Sequence, residues 1–319
     1  MIEHWTAQQA AEWLSAPGPA DDKYRRGVLG VRTGSSRYPG AAVLGVSAAW
    51  RVGAGLIRYV PMRDDVPSDS GLPTPAAAVL ARHPETVFGA GGRECDAWLV
   101  GSGTDPTERS TAERRDLLSL LDGAAPVVVD AGALELALTT EQRGRAPRIL
   151  TPHLGEFTRL WQQAGLGDPP SPWPDRIERR ATPAVDDLAR AALRLAERLE
   201  ATILLKGSIT IVATPGGRTI SIGPATPWLA TAGTGDVLAG ILGALVAVHA
   251  SEVRADPECL AALGATAALL HDLAARLAAD DPYARGDGRP VTASDVIDAV
   301  PRARAQAISP GPSSPPLER

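Results

Sequence analysis

Short apolar runs alternate with longer polar or amphipathic segments along most of the chain. The segments 27–31, 56–60, 97–101, 126–134 and 148–157 each contain a compact apolar stretch that leads into a polar or glycine-rich loop. Continuous apolar stretches are typical of parallel strands that are buried on both faces. We therefore predict a buried, mostly parallel sheet with functional loops after its strands.

The segments between these runs have the spacing of helices. Residues 186–200 are clearly amphipathic, whereas residues 40–56 are rich in glycine and alanine, which predicts close packing against a neighbour or a ligand. Three strand-like runs within 202–223 predict antiparallel edge strands. The alternation predicts an α/β fold in three layers, α/β/α, around a mostly parallel central sheet. Further helices are expected at 5–15, at 106–122, after Asp236, at 258–279 and at 292–300.

The domain organisation follows from the same pattern. The chain has 319 residues, no internal repeat and no strong linker, so residues 1–305 are interpreted as one domain. Residues 306–319 are rich in proline and serine and are expected to form a disordered tail. Residues 163–185 hold many prolines and are expected to form an irregular excursion.

Composition narrows the classes of partner. A net charge of −5 argues against a general nucleic-acid-binding surface but allows a local basic pocket. Cys95 and Cys259 lie far apart and are expected to be reduced, buried cysteines of a cytosolic protein. The amino terminus does not resemble a signal peptide, and the longest apolar run, 237–248, is too short to span a bilayer. We therefore expect a cytoplasmic location and no membrane partner.

The segment "AGTGD" before that apolar run is the first candidate for chemistry. Glycines at Gly233 and Gly235 let backbone amides face a ligand, and the free N–H groups of a helix start, Thr234 included, attract phosphate. Asp236 beside a bound phosphate can take or give a proton. The alternative is a glycine-rich turn capped by Asp236.

The segment "LLKGSIT" places one of only two lysines, Lys206, at a strand end. Lys206 can hold a nucleotide phosphate, and Ser208 and Thr210 can bond ribose or phosphate. The alternative is a hairpin turn with an exposed lysine.

Three other loops follow predicted strands. They are "LTPHLGEF" with His153, which alternatively caps a helix, "VGSGTD" (100–105) and "TGSSRYPGAA" (33–42). Ligands of open α/β sheets gather at the carboxyl ends of strands, so these loops are expected to converge there.

Several other patterns are missing from the sequence. It has no G-x-x-x-x-G-K-[ST] loop, no G-x-G-x-x-G that opens a helix after a strand, and no metal-ligand spacing. The histidines His4, His83, His249 and His271 are scattered, and no metal site is predicted. Trp228 lies near a motif, where packing is the expected role and ligand contact the alternative.

Taken in order, these motifs resemble the ADP-dependent NAD(P)H-hydrate dehydratases of the ribokinase-like superfamily. The resemblance spans residues 23 to about 304 and is carried by the segments "GVLGVRTGSSRYPGAAVLGVSAAWRVGAGLIRY", "VGSGTD", "VVVDAGAL", "ILTPHLGEFTRL", "LLKGSITIVATPGG", "ATAGTGDVLAGILGALVAV" and "TASDVIDAVPRA". It implies a metabolite-repair lyase that removes water from the S epimer of hydrated NADH or NADPH while ADP is hydrolysed to AMP and phosphate.

The resemblance also implies partners and site roles. Mg²⁺ would accompany ADP, the protein would form tetramers, and, as the chain starts at the dehydratase part, the epimerase of the R and S forms would be a separate protein. The adenine nucleotide would contact Lys206, Gly207, Ser208, Ile209 and Thr210, with Gly233, Thr234 and Gly235 on its phosphates. The hydrated dinucleotide would contact Ala41, Ala42, Gly103, His153 and Asp236.

Two other functions stay open at this point. A ribokinase-like kinase would use the same Asp236 and amides to phosphorylate a small hydroxylated vitamin or sugar with ATP. A nucleotide-binding module without catalysis would keep only the anion site. For the dehydratase, Asp236 would deprotonate the ring hydroxyl for attack on the β-phosphorus, while the amides stabilise the transferring charge.

Overall fold

Ten strands form one sheet in this computed structural model, which describes residues 1–65, 67, 70–92, 94–139, 146–168, 184–281 and 288–309. The strands are β1 (Glu3–His4), β2 (Val28–Arg32), β3 (Leu56–Tyr59), β4 (Val87–Phe88), β5 (Ala97–Val100), β6 (Val127–Val129), β7 (Arg148–Leu150), β8 (Thr202–Leu205), β9 (Thr210–Ala213) and β10 (Thr219–Ile222).

Helices connect the strands in this part of the chain. They are α1 (Ala7–Ala11), α2 (Pro39–Val52), α3 (Pro75–Arg82), α4 (Thr111–Leu121), α5 (Leu154–Gln163), α6 (Val185–Leu199), α7 (Thr234–Val248), α8 (Ala250–Ala255), α9 (Cys259–Ala278) and α10 (Ala293–Ile308). Short 3₁₀ segments lie at Ala131–Leu138 and Pro227–Leu229.

The sheet is mostly parallel, as predicted. Its order is β1-β10-β9-β8-β7-β6-β5-β2-β3-β4, and β9 is antiparallel to both β8 and β10. The antiparallel section was predicted as the edge of the sheet, but β1 pairs with β10 and forms the edge instead. Two residues are too few to show a hydrophobic period, so the sequence pattern did not reveal β1.

Helices α2 and α7 pack against each other more closely than ordinary helices can. A Cβ atom on Gly240 would overlap the carbonyl oxygen of Gly45, so the two backbones touch. The close packing predicted for the segment 40–56 is thus present at Gly45, whereas Gly40 has open space around it. The contact with Gly240 also fixes the amino-terminal ends of α2 and α7 relative to each other, because α7 is buried over most of its length.

Helix α9 is the other long apolar helix. By length and composition it could cross a membrane, but most of it is buried inside the fold. It packs against α10, α7 and the strands β9 and β10. Its apolar character therefore reflects a central position in the core.

Some predicted boundaries and environments need correction. Helix α10 extends to Ile308, so residues 306–308 are helical rather than part of a disordered tail. Pro301 marked the end of the predicted helix, but Ala303 and Ala307 bury the same face beyond it and sustain the helix. Both cysteines are unpaired and only partly buried. Most of segment 163–185, and residues 310–319 of the tail, lie outside the described residues.

Candidate active site

Polar side chains at the ends of four adjacent strands converge on one buried carboxylate, Asp130. Its Oδ2 accepts a hydrogen bond from Ser102 at 2.8 Å, and its Oδ1 accepts one from Thr151 at 2.6 Å. The ammonium group of Lys206 lies 3.0 Å from Oδ1. The sequence analysis did not select Asp130, although an aspartate directly after the run "VVV" was a usable signal.

Lys206 is held between two acidic side chains. Besides Asp130, Oε2 of Glu156 lies 3.9 Å from the Lys206 Nζ. Burial alone would lower the Lys206 pKa, but the two carboxylates outweigh burial and raise it. Burial would likewise raise the Asp130 pKa. The Lys206 charge and the hydroxyl groups of Thr151 and Ser102 outweigh burial and lower this pKa. The Lys206 side chain is 19% exposed, so the interpretation as an exposed turn lysine is wrong.

The amino terminus of α7 is open. Gly233 caps it with φ of 88°, in the left-handed region, and no side chain of the described residues caps the helix. A Cβ at Gly233 would also lie 2.7 Å from the Leu44 side chain. Thr234 directs its hydroxyl back to the carbonyl oxygens of Leu229 and Thr231, at 2.8 Å each. First-turn N–H groups have no intrahelical acceptor, so this turn offers donors to an anion.

Lys206 adds a positive charge to that turn. A Cβ on Gly235 would lie 3.8 Å from the Lys206 Nζ, which places the ammonium group directly beside the helix start. Because the open N–H groups and the ammonium group face the same space, the geometry favours a phosphate group there.

Asp236 stands in the first turn of the same helix. No described residue donates a hydrogen bond to its carboxylate, and it does not cap α7. Burial raises its pKa to about 7, the Asp130 charge adds to that rise, and Lys206 partly offsets it. A carboxylate with this pKa can accept a proton near neutral pH and return it.

His153 is the N-cap residue of α5. Its Nδ1 accepts hydrogen bonds from the N–H groups of Gly155 at 3.0 Å and Glu156 at 3.3 Å. Glu156 completes a capping box by accepting the His153 N–H at 2.8 Å. Burial lowers the His153 pKa, with Lys206 and Arg159 acting in the same direction and Glu156 against it. The ring is therefore neutral with its proton on Nε2, and it also faces a cavity.

That cavity, named here the nucleotide cavity, has a volume of about 530 Å³. Its lining contains seven residues predicted to bind nucleotide or substrate, namely His153, Lys206, Gly207, Ser208, Thr210, Thr234 and Gly235. The rest of the wall is mostly apolar and includes Ala225, Pro227, Leu229, Leu238 and Ala268. A wall that combines polar groups with apolar side chains suits a nucleotide, which carries both phosphates and a base.

His271 also lines this cavity and was missed. It is 7% exposed, and its Nε2 has no hydrogen-bond partner among the described residues. Burial lowers its pKa to about 4, against the effect of a hydrogen bond to the Thr234 backbone, so the ring is neutral. A lone histidine in an apolar helix gives no sequence signal of a site.

Other predicted residues lie around the nucleotide cavity and do not line it. Gly103, with φ of 67°, packs so closely on α2 that a Cβ there would overlap the Cβ of Ala41. Ala41 and Ala42 are both buried in the first turn of α2, and their contact with the substrate stays a prediction. Ile209 packs against the core beside the sheet. Trp228 packs against the main core, as expected.

Comparison with known proteins identifies close likenesses. A family model described as NAD(P)H-hydrate dehydratase matches residues 29–302. The bifunctional NAD(P)H-hydrate repair enzyme Nnr of Mycobacterium tuberculosis is 42% identical over 246 residues, which is 75% of this chain and 44% of that protein. The ADP-dependent (S)-NAD(P)H-hydrate dehydratase of Xanthomonas campestris is 32% identical, over 72% of this chain and 76% of that protein. The chain thus spans about half the length of its bifunctional relatives.

A solved structure shows the same fold. The ADP/ATP-dependent NAD(P)H-hydrate dehydratase of Bacillus subtilis, co-crystallised with ATP and Mg²⁺, superposes with a TM-score of 0.73. The match has 25% sequence identity and covers 96% of this chain and 99% of that one. A ribokinase-like superfamily protein of Enterococcus faecalis, at 20% identity and a TM-score of 0.69, supports the fold alone.

Proposed function

The chain belongs to the NAD(P)H-hydrate dehydratase family, and from this premise we propose that it dehydrates the S epimer of hydrated NADH and NADPH at the expense of ADP. The observation that carries the proposal is a base and an anion site in one helical turn. Asp236, with a pKa of about 7, follows directly on the open N–H groups at Gly235.

The proposed reaction has two steps. Asp236 accepts the proton of the ring hydroxyl, whose oxygen attacks the β-phosphorus of ADP and releases AMP. The ring then loses the new phosphate from one carbon and a proton from the neighbouring carbon, which forms the double bond. Lys206 and the amide of Gly235 hold the charge that develops on the phosphoryl oxygens. The Thr234 N–H, which donates to the Thr231 carbonyl oxygen at 3.4 Å, would have to turn to the phosphate to join them.

Mg²⁺ is proposed to enter with the nucleotide. Among the described residues, no three His, Cys, Asp or Glu side chains group as a metal site. Mg²⁺ is commonly held by one or two carboxylates together with substrate phosphates and water. Glu156 and Asp236 are candidates for this role, because their charges act on Lys206, which lines the cavity. When bound, the ion would neutralise phosphate charge.

The proposal is tested by recovery of the reduced cofactor. Purified protein is mixed with hydrated NADH and Mg²⁺, and the dihydronicotinamide absorbance is followed with ADP, with ATP and without nucleotide. We expect recovery that requires a nucleotide, with AMP and phosphate as products from ADP. A folded protein that restores no absorbance with either nucleotide contradicts the proposal, and stable phosphorylation of a vitamin or sugar by ATP would favour the kinase.

We further propose a cytoplasmic homotetramer that works with an epimerase activity for the R form. The family likeness supports this proposal. Light scattering during gel filtration measures the oligomeric state, and a monomer would contradict it. Addition of an epimerase should extend recovery from the S epimer to the mixture of both epimers.

A further inference from the structure

A cavity of about 340 Å³ lies at the opposite edge of the sheet from the nucleotide cavity. Its lining includes Val248 at the carboxyl end of α7, whereas Thr234 at the amino end of the same helix lines the nucleotide cavity. Arg26 and Gly53, which precede β2 and β3, also line it. Helix α7 has 15 residues and is therefore about 20 Å long. This cavity, named here the lower cavity, is thus separate from the site around Asp236.

Arginines outnumber carboxylates in the lower cavity. Among the described residues, two carboxylates line it, and both are engaged. Asp21 accepts the Gly18 N–H at 2.7 Å, and Glu252 accepts the Ser251 hydroxyl at 2.6 Å. The arginines of the lining are Arg25, Arg26, Arg51 and Arg304. The lower cavity therefore carries an excess of positive charge.

Two of these arginines, Arg26 and Arg304, form no ion pair within the described part of the chain. Both donate to main-chain carbonyl oxygens instead, Arg26 to Gly53 at 2.7 Å, and Arg304 to Leu14 and Ser15 at 2.9 Å each. Burial lowers the pKa of Arg304, and the positive charge of Arg26 lowers it further. Two guanidinium groups that repel each other in one cavity would both be stabilised by a bound anion.

Both guanidinium groups are held in place before a ligand arrives. The carbonyl oxygens fix one nitrogen of each group. The main chain at Arg26 is also closely packed, because a Cβ on Gly55 would lie 2.6 Å from the Arg26 Cβ and 2.2 Å from the Lys23 carbonyl oxygen. No side-chain nitrogen of Arg26 or Arg304 is both buried and without a partner, so their free N–H groups are open to solvent. An anion would therefore bind without ordering these side chains first.

The other part of the lining is apolar. Leu14, Val52 and Leu245 are buried and line the lower cavity together with Trp13. Guanidinium groups bind phosphate through paired, charge-assisted hydrogen bonds, whereas an apolar wall suits the organic part of a ligand. The volume is within the range of small-molecule sites. This combination fits a small phosphorylated molecule better than an inorganic ion alone.

We propose that the lower cavity binds a small phosphate monoester, with Arg26 and Arg304 on its phosphate group and the apolar wall against its organic part. The inference does not rest on the proposed function, because none of the groups that carry it belongs to the site around Asp236.

The test measures the binding of inorganic phosphate and of phenyl phosphate by isothermal titration calorimetry. The open start of α7 also attracts phosphate, so the measurements are made in Gly235→Ala, whose methyl group enters that other site. In this background, Arg26→Gln and Arg304→Gln should each weaken phosphate binding at least tenfold, the loss expected for one charge-assisted pair. Phenyl phosphate should bind more tightly than inorganic phosphate, because its ring adds contact with the apolar wall.

The matched control is Arg302→Gln, on the same helix as Arg304. Arg302 is exposed and does not line the lower cavity, so its substitution should leave phosphate binding unchanged at the same ionic strength. Arg304→Gln also removes hydrogen bonds to the main chain, so the melting temperature of every variant is measured. Arg26→Lys and Arg304→Lys keep the charge and should retain part of the affinity, which separates charge from folding.

Several results would overturn the proposal. One is the absence of phosphate binding in folded Gly235→Ala protein. Another is binding that Arg26→Gln and Arg304→Gln leave unchanged, or that Arg302→Gln weakens equally, since the latter reflects general surface charge. Phenyl phosphate that binds no more tightly than inorganic phosphate would contradict the assignment to a phosphate monoester. None of these results depends on turnover of the hydrate, so the proposed function is tested independently.

Discussion

The amino-terminal ends of α5 and α7 both lie beside Lys206, but only the end of α5 is capped by side chains. The start of α5 is closed by its own side chains, because His153 and Glu156 form a reciprocal capping box. The start of α7 has a left-handed glycine, and no side chain in the described part of the structure caps it. Without a cap, the first turn of either helix would have the same unpaired N–H groups and the same partial positive charge.

The comparison separates a helix start that stabilises the fold from one that can bind a ligand. A capped start satisfies its donors within the chain and contributes about 1 kcal/mol to the helix. An open start leaves its donors to water until a ligand arrives, so it costs stability and gains an anion site. Lys206 stands between the two, tethered to Glu156 on one side and adjacent to Gly235 on the other.

The largest expected effect comes from the acid of the open helix start. Asp236→Asn removes the proton acceptor and should lower kcat by 10² to 10⁴-fold, the usual contribution of a general base. The absorbance recovery assay with ADP measures this loss. Retention of near-normal turnover would show that Asp236 has another role.

The same variant should be more stable than the parent at high pH. Because folding raises the pKa of the Asp236 carboxyl group, this group lowers the free energy of unfolding as the pH rises from about 4 to above 7. Asparagine does not ionise, so the variant does not lose this free energy. The shift of the Asp236 pKa from 3.8 to about 7 corresponds to a gain in the free energy of unfolding on the order of 4 kcal/mol at pH 8, and to none well below pH 4. Denaturation with urea at the two pH values checks the sign.

Substitutions of the two glycines at the start of α7 should have different effects, one on stability and the other on the KM for ADP. Gly233→Ala places a side chain at positive φ and against Leu44, so it should destabilise the fold by about 1–3 kcal/mol. Gly235→Ala meets only the end of Lys206, so its melting temperature should stay the same while the KM for ADP rises about tenfold as the methyl group enters the phosphate site. Equal losses of stability in both variants would contradict this division.

The pH profile should report the charge around Asp236. In the parent protein, kcat/KM should increase with pH through about 7 as Asp236 ionises. Asp130→Asn removes the negative charge that helps to raise this pKa, so the midpoint should move to lower pH. The midpoint is the informative quantity, because loss of the Lys206 tether lowers the rate at every pH. An unmoved midpoint would mean that another group controls the profile.

The smallest effect is expected at the closed helix start. His153→Ala removes the cap of α5 and should cost about 1 kcal/mol of unfolding free energy, whereas His153→Asn keeps an acceptor there and should cost little. If His153 also contacts substrate, both variants raise the KM for the hydrate. Thermal unfolding and kinetics of the two variants separate the cap from the contact.

The sequence predicted those features that depend on residues close together along the chain. The strands from 27–31 to 148–157 and the small-residue packing of α2 followed from local signals. The grouping of Lys206 with Gly235 followed from the convergence of loops at the carboxyl ends of strands and from the family resemblance. Asp130 and His271 did not, because their importance depends on neighbours that are distant along the chain. Asp130 matters through Lys206, and His271 matters through the shape of the nucleotide cavity.

Two details escaped prediction for a different reason. The sequence allowed two roles for His153, a helix cap or a contact with a ligand. The structure shows that the same ring caps α5 and lines the nucleotide cavity. The continuation of α10 past Pro301 depends on the burial of alanines against other helices, which no local propensity encodes.

The two edges of the sheet have a consequence for handling the protein in concentrated solution. Each is a strand of only two residues, β1 at one side and β4 at the other, placed outside the longer strands β10 and β3. Short outer strands leave few unpaired backbone groups for another chain to extend, which protects against aggregation. Because β1 is made by residues 3 and 4, trimming the first few residues would uncover β10, and we expect the shortened protein to self-associate more readily.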